Sequence, residues 1–449
     1  MNKSNWLKNL LIVLTDIVAI YLSFILAFYL RFLIGNFISL VPLGHGLSFY
    51  LMKWWIAGIL LILIAYNGGY GSMVDFWDEL LVLLKSIFIS FLIVWVILSL
   101  QKEAETVSRI IMTSMFVFMV IFIPCFRFFL KFLMFKIFDI REDACLLGAI
   151  ESKDNELVKI LNATWYSGYR IVEVMKLGSI KGGYSTCFIS FQHANEELIK
   201  NIKSIFKTLI MVSEVAGLSF MSTEIKTFLS KNIVLITTKS GLLSLQKMLF
   251  KRVLDITLSL FSIIILFPLL LAISIIIKLD SRGPIFFKHK RIGKNLKEFT
   301  MYKFRTMYMD GEKTLKEFLA THPEAYQDLE ERNKLRDDPR VTRWGRFLRR
   351  SSLDELPQFF NVLIGHMSIV GPRPDSREAV ENYLDEYKEI YRMVRPGITG
   401  LWQVSGRSEI IYQERVKLDY LYILNWSVWL DFVIILKTIQ TIISGKGAY

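Results

Sequence analysis

Four long apolar runs in the first 135 residues, roughly Leu10–Leu30, Trp54–Ala65, Leu80–Leu100 and Ile110–Phe129, most constrain what this chain can fold into. Runs of about 20 apolar residues match the hydrocarbon thickness of a bilayer, and there the backbone must satisfy itself within a helix. The second run reaches that length only when extended back through Tyr50. The first is too long to read as a secretory signal, and no small-residue cleavage site follows it. We read residues 1–136 as four transmembrane helices with both ends on one side. Lys3 and Lys8 precede the first helix, and Arg127, Lys131, Lys136 and Arg141 end or follow the last. By the positive-inside rule those ends are cytoplasmic, although the loop Asn67–Asp78 on the same side carries no Lys or Arg.

A chain of 449 residues, 53% of them hydrophobic, has room for further domains. Its three cysteines, Cys125, Cys145 and Cys187, show no pairing or metal-ligand spacing, which fits a reducing compartment. The net charge of +13 is concentrated: Ser281–Leu353 holds 18 Lys and Arg against 10 Asp and Glu. A basic block directly after an apolar segment suits anionic headgroups or a phosphorylated substrate, so nucleic acid is not an expected partner.

Residues 141–240 alternate strand and helix patterns: "ACLLGAI", "NELVKIL", "YRIVEVMKL", "CFISF", "ANEELIKNIKSIF", "TLIMVSE" and "NIVLITT". That order predicts a parallel sheet of Rossmann type. The turn after the first strand has a single glycine, Gly148, where a dinucleotide fingerprint needs three, and Glu151 and Asp154 would repel a pyrophosphate. A structural or regulatory domain is the expectation. Next comes a re-entrant candidate at about 252–279. Pro268 sits in the middle of this apolar run, and positive charge flanks both sides: Lys251 and Arg252 before, Lys278, Arg282, Lys288, Lys290 and Arg291 after. Charge on both flanks argues that the segment bends at Pro268 and returns; a kinked spanning helix is the competing reading. Beyond it, "PIFFKHKRIGKNLKEFTMYKFRTM" reads as strands around a turn at Lys294–Asn295, and "GEKTLKEFLATHPEAYQDLEERNKL" as a helix broken near Pro323. The terminal "IYQERVKLDYLYILNWSVWLDFVIILKTIQTII" suits an interfacial helix or, in its first half, an internal packing face.

The stretch "RRSSLDELPQ" places Asp354 and Glu355 after two arginines. As local structure, Ser352 and Glu355 form a capping box, or Asp354 caps the helix and puts Pro357 within its first turn. As chemistry, adjacent acids among Arg340, Arg343, Arg346, Arg349, Arg350 and Arg373 describe a phosphate-ester site with magnesium; Arg346, Arg349 and Arg350 would share one helical face. A structural Arg–carboxylate network remains the alternative.

Taken together, "KRVLD…P…IKLDSRGPIFF", "RIG…KFRTM", "DPRVTRWGRFLRRSSLDELPQFFNVLIGHMSIVGPRP", "PGITGLWQVSGRS" and the terminal "GAY" resemble the bacterial sugar transferase family. These are monotopic phosphoglycosyl transferases acting on polyprenyl phosphate, and the likeness runs from about Lys251 to Tyr449. The resemblance implies a catalytic domain over 248–449, mainly helical, with a Pro-broken re-entrant helix and amphipathic interfacial helices behind the transmembrane and Rossmann-like domains. It implies Asp354 as the nucleophile that takes a sugar-1-phosphate from a UDP-sugar and expels UMP, with Glu355 beside it supporting Mg2+. Arg349 and Arg373 match phosphate-holding arginines, with Lys303, Arg305 and Arg407 as further phosphate contacts and Asp419 in a supporting role. Lys251, Arg252 and Pro268 match the mouth and break of the re-entrant helix. Undecaprenyl phosphate, the bilayer and a second copy of the chain are the implied partners, in a bacterial inner membrane with the site facing the cytoplasm. Galactose is the preferred sugar and glucose the next. Leu296 stands where members usually carry Gly. A membrane-anchored sugar-nucleotide dehydratase or epimerase is the rival enzyme, but its Gly-rich turn and Tyr-x-x-x-Lys pair are not found. A non-catalytic membrane regulator of polysaccharide synthesis is the rival without chemistry.

Overall fold

The first apolar run folds as helix α1, Lys3–Gly35. The computed structural model describes the chain apart from residues 1–2, 39–42, 72–74, 103–105, 148–157, 160–161, 176–182, 191–201, 203–204, 207, 213–222, 229–232, 239–244, 322–337, 384, 407–411 and 445–449. It divides into two units, Met1–Glu214 and Val215–Tyr449.

In the first unit, the second run extends back through Tyr50 as expected: a short helix α2, Leu47–Leu51, leads into α3, Trp54–Tyr66. Helices α4, Phe76–Leu100, and α5, Arg109–Lys131, follow. Leu7–Gly35, Leu47–Tyr66, Phe76–Leu100 and Arg109–Ile137 are each long and apolar enough to cross a membrane, as is Gln246–Asp280 later in the chain. The molecule is a membrane protein. Ala19 and Ala27 are fully buried where α1 packs along α5, small side chains allowing the close approach that helices in lipid rely on.

A charged knot ties this bundle together. Arg127 of α5 donates to Asp16 of α1 at 2.8 and 2.6 Å, to Glu79 of α4 at 2.8 Å and to the Gly69 carbonyl at 2.8 Å. Lys131 reaches the other oxygen of Glu79 at 2.7 Å, and Tyr70 donates to Asp16 at 2.7 Å. The Tyr166 hydroxyl, from the 3-10 turn Trp165–Ser167, also donates to Glu79. Burying four charges is tolerable only because each is paired and hydrogen-bonded.

Strands β1, Glu142–Leu147, β2, Tyr169–Met175, β3, Thr186–Ser190, and β4, Thr208–Val212, form the expected parallel sheet in the order β2-β1-β3-β4. Cys145, Leu147 and Ile189 face one core and Ala144, Leu146 and Phe188 the other, which accounts for strands apolar on both faces. One strand departs from expectation. "NIVLITT" does not extend this sheet: its β6, Ile233–Thr238, pairs antiparallel with β5, Thr223–Phe228, in a separate ladder of the second unit. The short link between them suits a hairpin, whereas a parallel neighbour needs a long crossover. Gly148, Glu151 and Asp154 lie outside the described residues, as does most of both helices expected there.

The second unit begins with α6, Leu245–Asp280, 36 residues long. Helical structure runs on both sides of Pro268, whose ring permits a bend within it. Pro removes one N–H from the ladder, and the long apolar turns on either side tolerate that single loss. Strands β7, Phe286–Ile292, and β8, Glu298–Phe304, form the predicted hairpin. At its turn, Asn295 and Leu296 take left-handed φ values of 60° and 55°. After α7, Gly311–Thr321, come α8, Arg343–Arg350, and α9, Gln358–Ile364. The break near Pro323 lies outside the described residues. Strand β9, Ser368–Val370, pairs in parallel with β10, Gly397–Thr399; α10, Arg377–Glu381, and α11, Asp385–Tyr391, lie between them in sequence. The chain ends with α12, Leu401–Ser405, α13, Tyr412–Leu424, and α14, Val428–Ser444. Tyr422, Ile423 and Trp426 are buried against Val370 and Val394, so the first half of the terminal segment is an internal face. The second half leaves Ile439, Ile442 and Ile443 exposed.

Candidate active site

Helix α8 is laid directly on the end of β8. Thr342 caps it, accepting from the Gly345 N–H at 2.9 Å, while the Thr342 N–H donates to the Thr306 carbonyl at 3.0 Å. Gly345 passes so close that a Cβ there would lie 2.1 Å from that carbonyl oxygen. This approach lets the Arg349 Nε donate to Thr306 Oγ1 at 2.9 Å. Arg349 is thereby turned inward, while Arg346 and Arg350 stay exposed, and the expected face of three arginines divides.

After α8 the chain turns sharply. Ser352 takes a left-handed φ of 56°, and Leu353–Glu355 forms one 3-10 turn before Pro357 and α9. Leu353 and Leu356 pack against the cluster of Ile273, Ile277, Phe304 and Leu348, so leucines on both sides hold the turn to α6 and β8. Neither expected cap forms. No side chain caps α9, and Glu355 reaches Lys303 of β8 instead, Nζ to Oε1 2.6 Å. The left-handed Ser352 takes the chain off a helical path, and an ammonium is a stronger partner for Glu355 than a backbone N–H.

Asp354 is therefore held in a half-buried turn beside Glu355, Lys303 and Arg349. Burial pushes its carboxyl up to about 6; Lys303 opposes that rise, Glu355 adds to it, and Arg349 opposes it again. Burial pulls the Arg349 guanidinium down, with Asp354 acting against it. The sequence-derived group of Asp354, Glu355, Arg349 and Lys303 thus converges at one place. Among the described residues no three His, Cys, Asp or Glu gather as a metal cage. Two adjacent carboxylates nevertheless fit Mg2+, which takes one or two and completes its shell with phosphate oxygens and water.

Other expected residues sit elsewhere. Arg305 is buried and donates to the carbonyls of Arg282 at 2.6 Å, Ser281 at 2.7 Å and Ile277 at 3.4 Å, closing the C-terminal end of α6. Arg252 donates to the Val362 and Leu363 carbonyls at the end of α9, at 2.7 and 3.0 Å. Lys251 binds Asp431 at 2.7 Å, in a knot that also takes the Tyr422 hydroxyl and the Trp426 indole N–H. Asp255, which was not anticipated, accepts from Ser368 at 2.8 Å and the Ile369 N–H at 3.0 Å. Arg407 lies outside the described residues.

Arg373 belongs to a second basic cluster. Its N–H donates to Asp419 at 3.1 Å, and its guanidinium lies 5.1 Å from the Trp402 ring centre. Arg415 lies 5.4 Å from the same ring and binds Asp375 at 2.7 Å. Burial pushes Asp419 up to about 8. Sequence reading missed Arg291, Arg415, Trp402 and Asp375. The spacing of Arg415 and Asp419, one helical turn apart on α13, is the signal that could have joined them. The β-hairpin connects the clusters: Lys303 pairs with Phe287, and His289 and Arg291 follow on that face. His289 is pulled down by burial first, then by Arg291 and Lys303.

The model of the bacterial sugar transferase family matches residues 246–445, which contain both clusters. The exopolysaccharide production protein ExoY of Sinorhizobium fredii is 45% identical over 199 residues, 44% of this chain and 88% of that protein. The undecaprenyl-phosphate galactose phosphotransferase of Salmonella typhimurium is 40% identical over 243 residues, 54% of this chain and 51% of that protein. The undecaprenyl-phosphate glucose phosphotransferase of Komagataeibacter xylinus is 43% identical over 223 residues, 46% of this chain and 38% of that protein. The match spans about half the length of the larger relatives such as the Salmonella protein.

Proposed function

The chain belongs to the bacterial sugar transferase family, and on that premise we propose that it moves a hexose-1-phosphate from a UDP-sugar to undecaprenyl phosphate. The observation that carries this reading is Asp354, half-buried between Lys303, Glu355 and Arg349 within the family's matched region. In the first step an Asp354 carboxylate oxygen bonds to the phosphorus that bears the sugar. The bond from that phosphorus to the oxygen of the nucleotide phosphate breaks, and UMP leaves. In the second step an oxygen of the lipid phosphate attacks the same phosphorus and the aspartyl bond breaks. The product is a polyprenyl-diphosphate sugar, a starting unit for exopolysaccharide, capsule or O-antigen. Lys303 and Arg349 offset the negative charge that an anionic nucleophile meets at a diphosphate. Asp354 and Glu355 would hold Mg2+, which when bound neutralises diphosphate charge.

Galactose is the first candidate and glucose the second; relatives named for each match this chain. Helix α6 enters the bilayer from the cytoplasmic face of the inner membrane and returns to it. Support comes from its two ends. The first is held by α9 through Arg252, the last by Arg305 just beyond β8, and Asn361 of α9 is hydrogen-bonded to Tyr302 and Thr300 of β8 at 2.9 and 2.7 Å. A crossing helix would draw those polar elements through a hydrocarbon core of about 30 Å.

The test supplies purified protein with undecaprenyl phosphate and UDP-galactose or UDP-glucose carrying a labelled sugar phosphate. Wild type should release UMP and trap label on protein when the lipid is withheld, and Asp354→Asn should do neither. Full turnover by Asp354→Asn would defeat the reading.

A further inference from the structure

Helices α1 and α5 run antiparallel: Asp16 meets Arg127 and Lys8 lies over the Phe135 ring, so Gly35 and Arg109 share the far end. The positive-inside rule accounts for the cations at the Lys3 and Lys131 end and predicts few at the other. Arg31 and Lys53, toward that other end, are buried in the bundle. Arg109 is exposed and has no hydrogen bond or ion pair among the described residues. Beside it opens an apolar groove of about 550 Å3, where Leu30 and Ile34 of α1 face Val117 and Phe118 of α5. From Arg109 to Phe118 the helix rises ~14 Å. That is about half of a hydrocarbon core of about 30 Å. The groove thus has the depth of one leaflet, with its cation at the headgroup end and its apolar walls toward the bilayer centre. A phosphate beside a single apolar chain fits that arrangement. A polyprenyl chain runs well past this depth. A second copy docked here by two-fold symmetry would set two Arg109 faces together with no carboxylate among the lining residues.

We propose that this groove binds one anionic phospholipid of the leaflet at the Arg109 end, its phosphate on the guanidinium and one acyl chain between α1 and α5. The site is independent of the transferase reading, since it lies in the first unit and outside the residues that the family model matches. The charged knot braces the same two helices at Asp16, ~27 Å along α1 from Ile34. A lipid in the groove holds them together at the end that the knot does not reach.

Native mass spectrometry of the full-length protein in detergent, titrated with phosphatidylglycerol or phosphatidylethanolamine, tests this. Wild type should bind one phosphatidylglycerol about fivefold or more tightly than phosphatidylethanolamine, the effect of one net charge beside one cation. Arg109→Gln should erase that preference without lowering Tm in the absence of lipid. Thr113→Trp, which fills the groove from an exposed position, should weaken both lipids about fivefold or more. Phosphatidylglycerol should raise the Tm of wild type but not of Arg109→Gln. Equal binding of the two lipids, unchanged by Arg109→Gln, would overturn the site and leave Arg109 to its own loop. Undecaprenyl phosphate displacing phosphatidylglycerol one for one would overturn the phospholipid assignment. Loss of a dimer in Thr113→Trp, with lipid binding intact, would give this face to a second copy instead.

Discussion

Asp354 shows how much a residue's role depends on groups far away in sequence. Its neighbours in the chain suggested a helix cap, but the structure gives it a turn where Lys303 and Arg349 both act on its charge. Its raised value of about 6 sets a pH dependence, because the attacking oxygen must be ionised. Transfer should fall as pH drops through about 6. Lys303 favours the anion and Glu355 disfavours it, so Lys303→Met should move this acid limb to higher pH and Glu355→Gln to lower pH. Single-turnover rates from pH 5 to 8 would read both, and an unmoved limb would remove Asp354 as the titrating group. Leu296 offers a test of backbone strain. It holds a left-handed φ of 55°, and it packs beside Ile292, Val380 and Tyr391. The left-handed backbone costs ~1–2 kcal/mol in any residue with a Cβ. Leu296→Gly should therefore destabilise less than Leu296→Ala, the reverse of the usual order, in chemical denaturation of the detergent-solubilised protein.

Among the elements, α6 was readable in extent but not in attachment. Its apolar length and flanking charges are sequence facts, whereas the bonds from Arg252 to α9 carbonyls and from Arg305 to the end of α6 join groups from distant parts of the chain. Arg305 and Arg252 share a residue type with the site arginines, and composition alone cannot distinguish a guanidinium that closes a helix end from one that meets phosphate. The same limit explains β6: "NIVLITT" has the apolar pattern of a sheet strand, and only the short link from β5 selects its antiparallel partner. The returning path of α6 has a direct check. With Cys125 replaced by serine, Gln246→Cys and Leu279→Cys should both label with an impermeant maleimide from the cytoplasmic side in inverted vesicles. Labelling of Leu279→Cys only from the opposite face would establish a crossing helix.

At the scale of the molecule, the four apolar runs and the parallel sheet were legible because period and length are local properties. The knot of Asp16, Glu79, Arg127 and Lys131 was not, since it joins residues up to 111 positions apart in sequence. Arg127→Ala would leave Asp16 and Glu79 buried without their common partner. It should destabilise the first unit by ~3–5 kcal/mol, seen as a lower melting temperature in detergent. Arg127→Lys should recover only part of this, because one ammonium cannot reach Asp16, Glu79 and the Gly69 carbonyl in the geometry of the fork. The knot has a further physical property. Its two carboxylates and two cations sum to zero, so the electric potential across the bilayer finds no net charge there to pull on. The bundle can keep its ionic cross-braces inside apolar helices and hold one arrangement whether the membrane is energised or depolarised.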